Sequence, residues 1–267
     1  MLLVLVASAA PAQTRDEPSL NFTLYGGLST GGTLWNLSRQ PLLAPGGPPP
    51  PLDTVTIGRR LRPSTLAGLS ISWFRSPHFA LTADIAYLGF DSEELCHGPA
   101  LYHPDPDDLN RQACNNSNGG VAGTSVVGFM VGGTYRLFPL AAVQPYLRAT
   151  GGLGLLGSSY IETAALVFNP KCGTASRVCP TSLLEEQKST YLTWVVSLSL
   201  GSSFRLSPGT RILFEARNIL ASLPVVTGPR NPFDFHSFPT TSRAVKHQPA
   251  FLVGLEILLE RRHGRRY

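Results

Sequence analysis

Seven charged side chains, Asp84, Arg136, Arg148, Arg205, Glu215, Arg217 and Glu256, stand in stretches otherwise made of apolar residues, Ser, Thr and Gly. Ionisable groups in such surroundings must pair with one another, because burying a lone charge is costly. Four are basic and three acidic, so the set can nearly neutralise itself. A hydrolase site would instead need a Ser or Cys within reach of a His that an acid orients. His236-Ser237 are adjacent, but neighbours in an extended chain point to opposite sides. His78, His97, His103 and His247 have no Ser and acid at matching depth, so no catalytic residue is expected. Asp91, Glu93, Glu94, Asp105, Asp107 and Asp108 form an acidic stretch that could hold a divalent cation. Pro104 and Pro106 interrupt it and no D-x-D-x-D-G loop is present, so a solvated loop, with no metal and no cofactor, is the expectation. The four cysteines fall as Cys96 with Cys114 and Cys172 with Cys179, separated by 18 and 7 residues. These spacings make no C-x-x-C motif. Of the three possible connectivities the local one keeps each bridge inside one loop, and it suits an oxidising compartment.

Positioning these residues is the task of eight stretches of period-two alternation. Leu20, Phe22, Leu24 and Leu28 alternate with Asn21, Thr23 and Tyr25; Ala67, Leu69, Ile71 and Trp73 alternate with Gly68, Ser70 and Ser72. Phe79 to Tyr87 sets apolar odd positions against Thr82 and Asp84, and Val127 to Tyr135 sets them against Gly128, Gly132, Thr134 and Arg136. The fifth stretch opposes Val143, Leu147, Leu153 and Leu155 to Gln144, Tyr146, Arg148 and Thr150; the sixth opposes Leu192 to Leu200 to Thr193, Ser197, Ser199 and Ser203. Ile212, Phe214 and Ala216 face away from Glu215 and Arg217, and Phe251 to Leu259 faces away from Gly254, Glu256 and Glu260. The seven charges thus share one polar face.

Connection lengths choose the architecture. Strands two and three, four and five, and six and seven are joined by tight Pro-containing turns at Ser76-Pro77, Phe138-Pro139-Leu140 and Ser207-Pro208-Gly209. The other connections, roughly 37–62, 90–123, 158–190 and 221–247, are long; the first contains Gly46-Gly47-Pro48-Pro49-Pro50-Pro51, which pairs poorly as strand. The reading is all-β: an eight-stranded antiparallel up-and-down transmembrane β-barrel with short periplasmic turns and long extracellular loops. Three strands end before a short turn in an aromatic and an Arg: Trp73-Phe74-Arg75, Tyr135-Arg136 and Phe204-Arg205. Such pairs suit a membrane interface, with Trp35, Tyr87 and Tyr191 as the opposite aromatic belt. The interior of an eight-stranded barrel is just wide enough for side chains to fill. The charges therefore form either a salt-bridged plug or the lining of a narrow conducting path.

The whole pattern resembles the small outer-membrane barrels typified by the transmembrane domain of OmpA, with OmpW-like proteins as relatives, over residues 19–261. The resemblance implies insertion in a bacterial outer membrane by the barrel-assembly machinery, contact with outer-membrane lipid and lipopolysaccharide, and a monomer. The end of the chain departs from it: Arg261-Arg262-His263-Gly264-Arg265-Arg266 separates strand eight from Tyr267, where such barrels finish on an aromatic.

Composition agrees with export. Of 267 residues only 15% are charged, and the net charge of +5 is dispersed except at the C-terminal tail, so a nucleic-acid footprint is not expected. Leu2 to Ala10 is apolar and Ala10-Pro11-Ala12 resembles a signal-peptidase site, although a basic n-region is missing. The expected organisation is a signal peptide (1–12), a short segment (13–18), the barrel (19–261) and a basic tail (262–267). The expected role is structural or surface-exposed, with a plugged lumen. A narrow channel or transporter for small, hydrophobic molecules and a soluble periplasmic lipocalin-like binder are the alternatives.

Overall fold

A computed structural model describes residues 19–41, 54–100, 111–112, 114–115, 118–157, 161–168, 178–186, 190–229 and 240–259. The expected signal peptide, the segment 13–18, the basic tail with Tyr267, the 46–51 Gly/Pro run, Asp105, Asp107, Asp108, His103 and His236-Ser237 lie outside the described residues.

Eight strands close into an antiparallel barrel: β1 (Ser19–Ser29), β4 (Ser64–Phe74), β5 (Phe79–Gly89), β8 (Ser125–Arg136), β9 (Val143–Gly157), β12 (Thr190–Ser207), β13 (Thr210–Val226) and β14 (Thr241–Leu259). Each pairs with the barrel strand before and after it, and β1 closes on β14 from Leu20↔Leu259 to Ser29↔Ala250. Successive side chains point to opposite faces, so the alternation read in the sequence becomes an inside and an outside. Three tight connections, 75–78, 137–142 and 208–209, gather at one rim, where β1 begins and β14 ends.

The opposite rim is more ordered than the sequence suggests. The first two long connections hold β2 (Thr33–Pro41), β3 (Thr54–Leu61), β6 (Ser92–Ala100) and β7 (Val121–Ala122), which join as one four-stranded sheet in the order β2-β3-β6-β7. The β3–β6 pairing sets Arg59 opposite Glu94 and Arg60 opposite Glu93, and both pairs are ion pairs, at 3.5 and 3.2 Å. Acids read as a solvated loop are thus partly consumed by cross-strand pairing. Cys96 and Cys114 are disulfide-bonded at the edge of this sheet. The bridge expected between Cys172 and Cys179 falls outside what is described, because Cys172 does. The third connection contains a hairpin, β10 (Ile161–Phe168) with β11 (Val178–Glu186). In the fourth, β13 and β14 stay paired as far as Val226↔Thr241, so the connection is 227–240 rather than 221–247. The wall is lopsided: β1, β4 and β5 have 11 residues each, whereas β12, β13 and β14 have 18, 17 and 19.

Candidate functional site in the barrel lumen

The inward faces of the eight strands fill the lumen in two tiers. Nearest the short turns the tier is polar, and its centre is Arg217 on β13, only 2% exposed. Its Nε donates to Glu215 Oε1 at 2.7 Å, and its Nη1 donates to Asp84 Oδ2 and to the Tyr25 hydroxyl oxygen, both at 3.1 Å. Glu215 also accepts from the Tyr146 hydroxyl at 2.7 Å and pairs with Arg148 at 3.3 Å. The Nε of Arg148 donates to Thr134 Oγ1, which continues through Thr82 to Ser72 by hydroxyl contacts of 2.8 and 3.0 Å. Tyr25, in turn, donates to Asp84 at 2.6 Å. Ser72, Thr82, Thr134, Arg148, Glu215, Arg217, Asp84 and Tyr25 therefore form one connected network that ties β4, β5, β8, β9, β13 and β1 together across the lumen.

Two glycines make this geometry possible. Tyr25 stands in register with Gly68, and Tyr146 with Gly201. A Cβ built on Gly68 would meet the Tyr25 hydroxyl oxygen at 2.3 Å, and one on Gly201 would meet the Tyr146 ring at 2.5 Å. Each phenol end lies over the glycine of the neighbouring strand, with its hydroxyl donating to a carboxylate, Asp84 or Glu215.

Closer to the short turns is a second charge cluster. Glu256 accepts from Arg136 at 2.7 Å and from the Asn21 side-chain amide at 2.9 Å, with Arg211 at 3.8 Å. Arg211 also donates to Gln144, and the Arg136 guanidinium lies 3.8 Å over the Phe74 ring. The tier toward the long connections is mainly apolar: Leu66, Leu88, Val126, Met130, Val195, Ile219 and Leu252 are among its buried residues, with Ser29, Ser64 and Gln248 buried beside them. It is continuous with Trp35, Leu37, Ile57, Phe90 and the Cys96–Cys114 bridge, contributed by the loop sheet and the connection leading into it.

Of the seven charges read from the sequence, Asp84, Arg136, Arg148, Glu215, Arg217 and Glu256 meet inside the barrel. Arg205 does not. The β12–β13 register shifts between Arg205 and Ser207, and the side chain is exposed at the short-turn rim. Arg211, two residues after the tight turn, takes the inward place instead. Tyr25, Tyr146, Asn21 and Arg211 complete the network and share its inward parity, which is the signal that could have found them. Among the aromatics, Trp73, Tyr87, Tyr135 and Phe204 are exposed on the outer face. Trp35 is not an interfacial residue: it is 7% exposed, inside the loop sheet, with the Arg59 guanidinium 5.5 Å from its ring centre. Tyr191 is on the inward parity of β12 and packs against the apolar tier, with Arg243 5.1 Å over its ring. Among the described residues no three of His, Cys, Asp and Glu are grouped as metal ligands.

The outside is the inverse of a soluble protein. Large apolar residues cover it on every barrel strand, with Leu24, Ile85, Val131 (70% exposed), Leu155, Leu198 and Phe251 (67%) among them. A continuous apolar girdle of this size has no aqueous counterpart in a monomer, and a closed barrel leaves no unpaired backbone edge in hydrocarbon.

No protein-family model matches the chain, and no curated protein matches it in sequence. Among solved structures it is similar to Neisserial surface protein A, at 9% identity over 90% of this chain and 98% of that one, with a TM-score of 0.43. It is likewise similar to the outer membrane protein OprG from Pseudomonas aeruginosa, at 12% identity over 90% and 96%, with a TM-score of 0.43. A third is the outer membrane protease OmpT from Escherichia coli, at 10% identity over 93% and 99%, with a TM-score of 0.41. The apolar girdle and the filled lumen of the chain itself define what it is: an eight-stranded antiparallel transmembrane β-barrel.

Proposed function

We propose that this chain is a bacterial outer-membrane protein with a structural or surface-exposed role: a closed staple through the membrane that presents a folded platform outside it. The observation that carries this reading is the filled lumen. Six strands are cross-linked by the Arg217 network, a second cluster surrounds Glu256, and the apolar tier runs without a break into the loop sheet. Packed Leu, Val, Ile and Met side chains make most of that tier a poor path for water and ions, the buried Gln248 and Ser29 beside them being tied to each other at 2.8 Å, and opening the polar tier would strand buried charges.

The short turns face the periplasm in this reading, so the β2-β3-β6-β7 sheet, the β10–β11 hairpin and the tall β13–β14 hairpin lie at the cell surface. No enzymatic activity is proposed. The barrel inserts as a monomer by way of the barrel-assembly machinery and contacts outer-membrane lipid and lipopolysaccharide. Planar-bilayer recording tests the central point. The wild-type barrel should give no current above the lipid background, and steady unitary conductance would overturn the plugged-lumen reading.

A further inference from the structure

We propose that the outer wall carries two specific sites for glycerophospholipids of the leaflet next to the short turns, one beside Arg75 and one beside Arg205. Among the described residues, two clefts lie in the apolar girdle on separate parts of the wall. The first, about 590 Å³, has Ala83 as its floor and Ile71, Trp73, Leu81 and Val131 as walls, with the Phe79 ring over Gly133 at one end. The second, about 540 Å³, has Ala216 and Ser202 as its floor between Leu200, Phe204, Phe214 and Phe251. At each floor a small residue stands where Leu, Phe or Val fills the outward position on much of the wall, so the floor is recessed between its larger neighbours.

The same short-turn motif ends both grooves. Trp73 borders the first and is followed by exposed Arg75; Phe204 borders the second and is followed by exposed Arg205. His78, in the turn after Arg75, stacks on Tyr135 with ring centres 5.9 Å apart and adds to the aromatic edge. The only carboxylate at this rim among the described residues is Glu256, which is 5% exposed and held by Arg136 at 2.7 Å. Among the described residues, the exposed side chains of this rim therefore include cations and no carboxylate. A guanidinium fork beside an aromatic at headgroup depth matches a phosphodiester, and the groove above it matches the acyl chain attached to that phosphate. A second copy of the chain is a poorer occupant. The grooves lie on different parts of the wall, β4–β5–β8 and β12–β13–β14, and pairing either with its own copy would set arginine against arginine.

This inference rests on the membrane-barrel reading, and the test separates the two. The barrel is purified in mild detergent, titrated with dioleoyl-phosphatidylglycerol and weighed by native mass spectrometry; heat-modifiable gel migration reports the folded barrel. Two tightly held lipids per barrel are expected, one in R75Q, one in R205Q and none in the double variant. A83F and A216F fill the grooves while keeping both arginines, and each should also lose one lipid. An unchanged lipid count in the double arginine variant, or lipid-independent dimers in place of adducts, would overturn the proposal. Absence of a heat-dependent gel shift in the wild type would instead remove the membrane-barrel reading beneath it.

Discussion

Glu215→Gln is the most informative single change in this barrel. The carboxylate is fully buried, accepts from Arg217 at 2.7 Å and Tyr146 at 2.7 Å, and lies 3.3 Å from Arg148. Among the described residues it is the only carboxylate within ion-pair distance of Arg148, whereas Arg217 keeps Asp84 at 3.1 Å. The amide can still accept one hydrogen bond, but it leaves one buried guanidinium with no counter-charge. Breaking a buried pair in this way costs about 3–5 kcal/mol, a factor of roughly 100 or more in the folding equilibrium. Deleting the stranded charge as well should restore part of the loss. R148M/E215Q is expected to be more stable than E215Q by about 2 kcal/mol, a positive coupling within the range measured for contacting residues. Urea unfolding from phosphatidylcholine vesicles, read by tryptophan fluorescence and gel migration, measures both. A loss in E215Q below about 0.5 kcal/mol, the level of an unremarkable surface change, or strict additivity in the double variant, would refute the claim that the lumen is held by this network.

Other features give independent expectations. Gly68→Ala and Gly201→Ala should each displace a tyrosine ring from its neighbour strand and destabilise by about 1–3 kcal/mol; equal stability to wild type in the same urea assay would contradict the ring-over-glycine packing. Reducing the Cys96–Cys114 bridge, which closes 18 residues, should destabilise the loop sheet by up to about 3 kcal/mol. Hydrogen exchange should accelerate in β3 and β6 and stay unchanged in β4 and β5. Val131→Arg places a charge on the most exposed part of the girdle and should cost about 2–4 kcal/mol if the residue lies at mid-bilayer. A neutral effect in vesicles would mean that this face does not meet hydrocarbon.

The barrel was legible because its strands obey one rule for long stretches: apolar odd or even positions outside, polar ones inside. Six of the seven charges followed from that parity alone. Arg205 broke it for a local reason: the register shift before the tight turn carries it out of the barrel wall. Arg211 shares the parity of Glu215 and Arg217 but sits so close to Pro208-Gly209 that it reads as turn. The loop sheet was hidden by a different kind of physics. The β3–β6 pairing joins residues on either side of the β4–β5 hairpin, and no local periodicity reports a partner that distant. Trp35 was misplaced for the same reason: as a strand-end aromatic it resembles a belt residue, and only the non-local sheet supplies the core that buries it. Tyr191 shares the parity of Thr193 and Ser197, which would have turned it inward.

The lopsided wall also has a mechanical meaning. β13 and β14 are joined by an unbroken ladder from Thr210↔Ile257 to Val226↔Thr241, so a pull on the hairpin end would be carried as a single load down to the short-turn rim. The loop sheet, by contrast, hangs from the barrel through brief connections, residues 30–32, 62–63, 90–91 and 123–124. A tether attached there would load those joints together with the apolar packing that seats the sheet on the barrel core. The same rim thus combines a stiff mast and a canopy seated on the core. A force on the first is passed along the barrel wall, and one on the second is shared with the core beneath it.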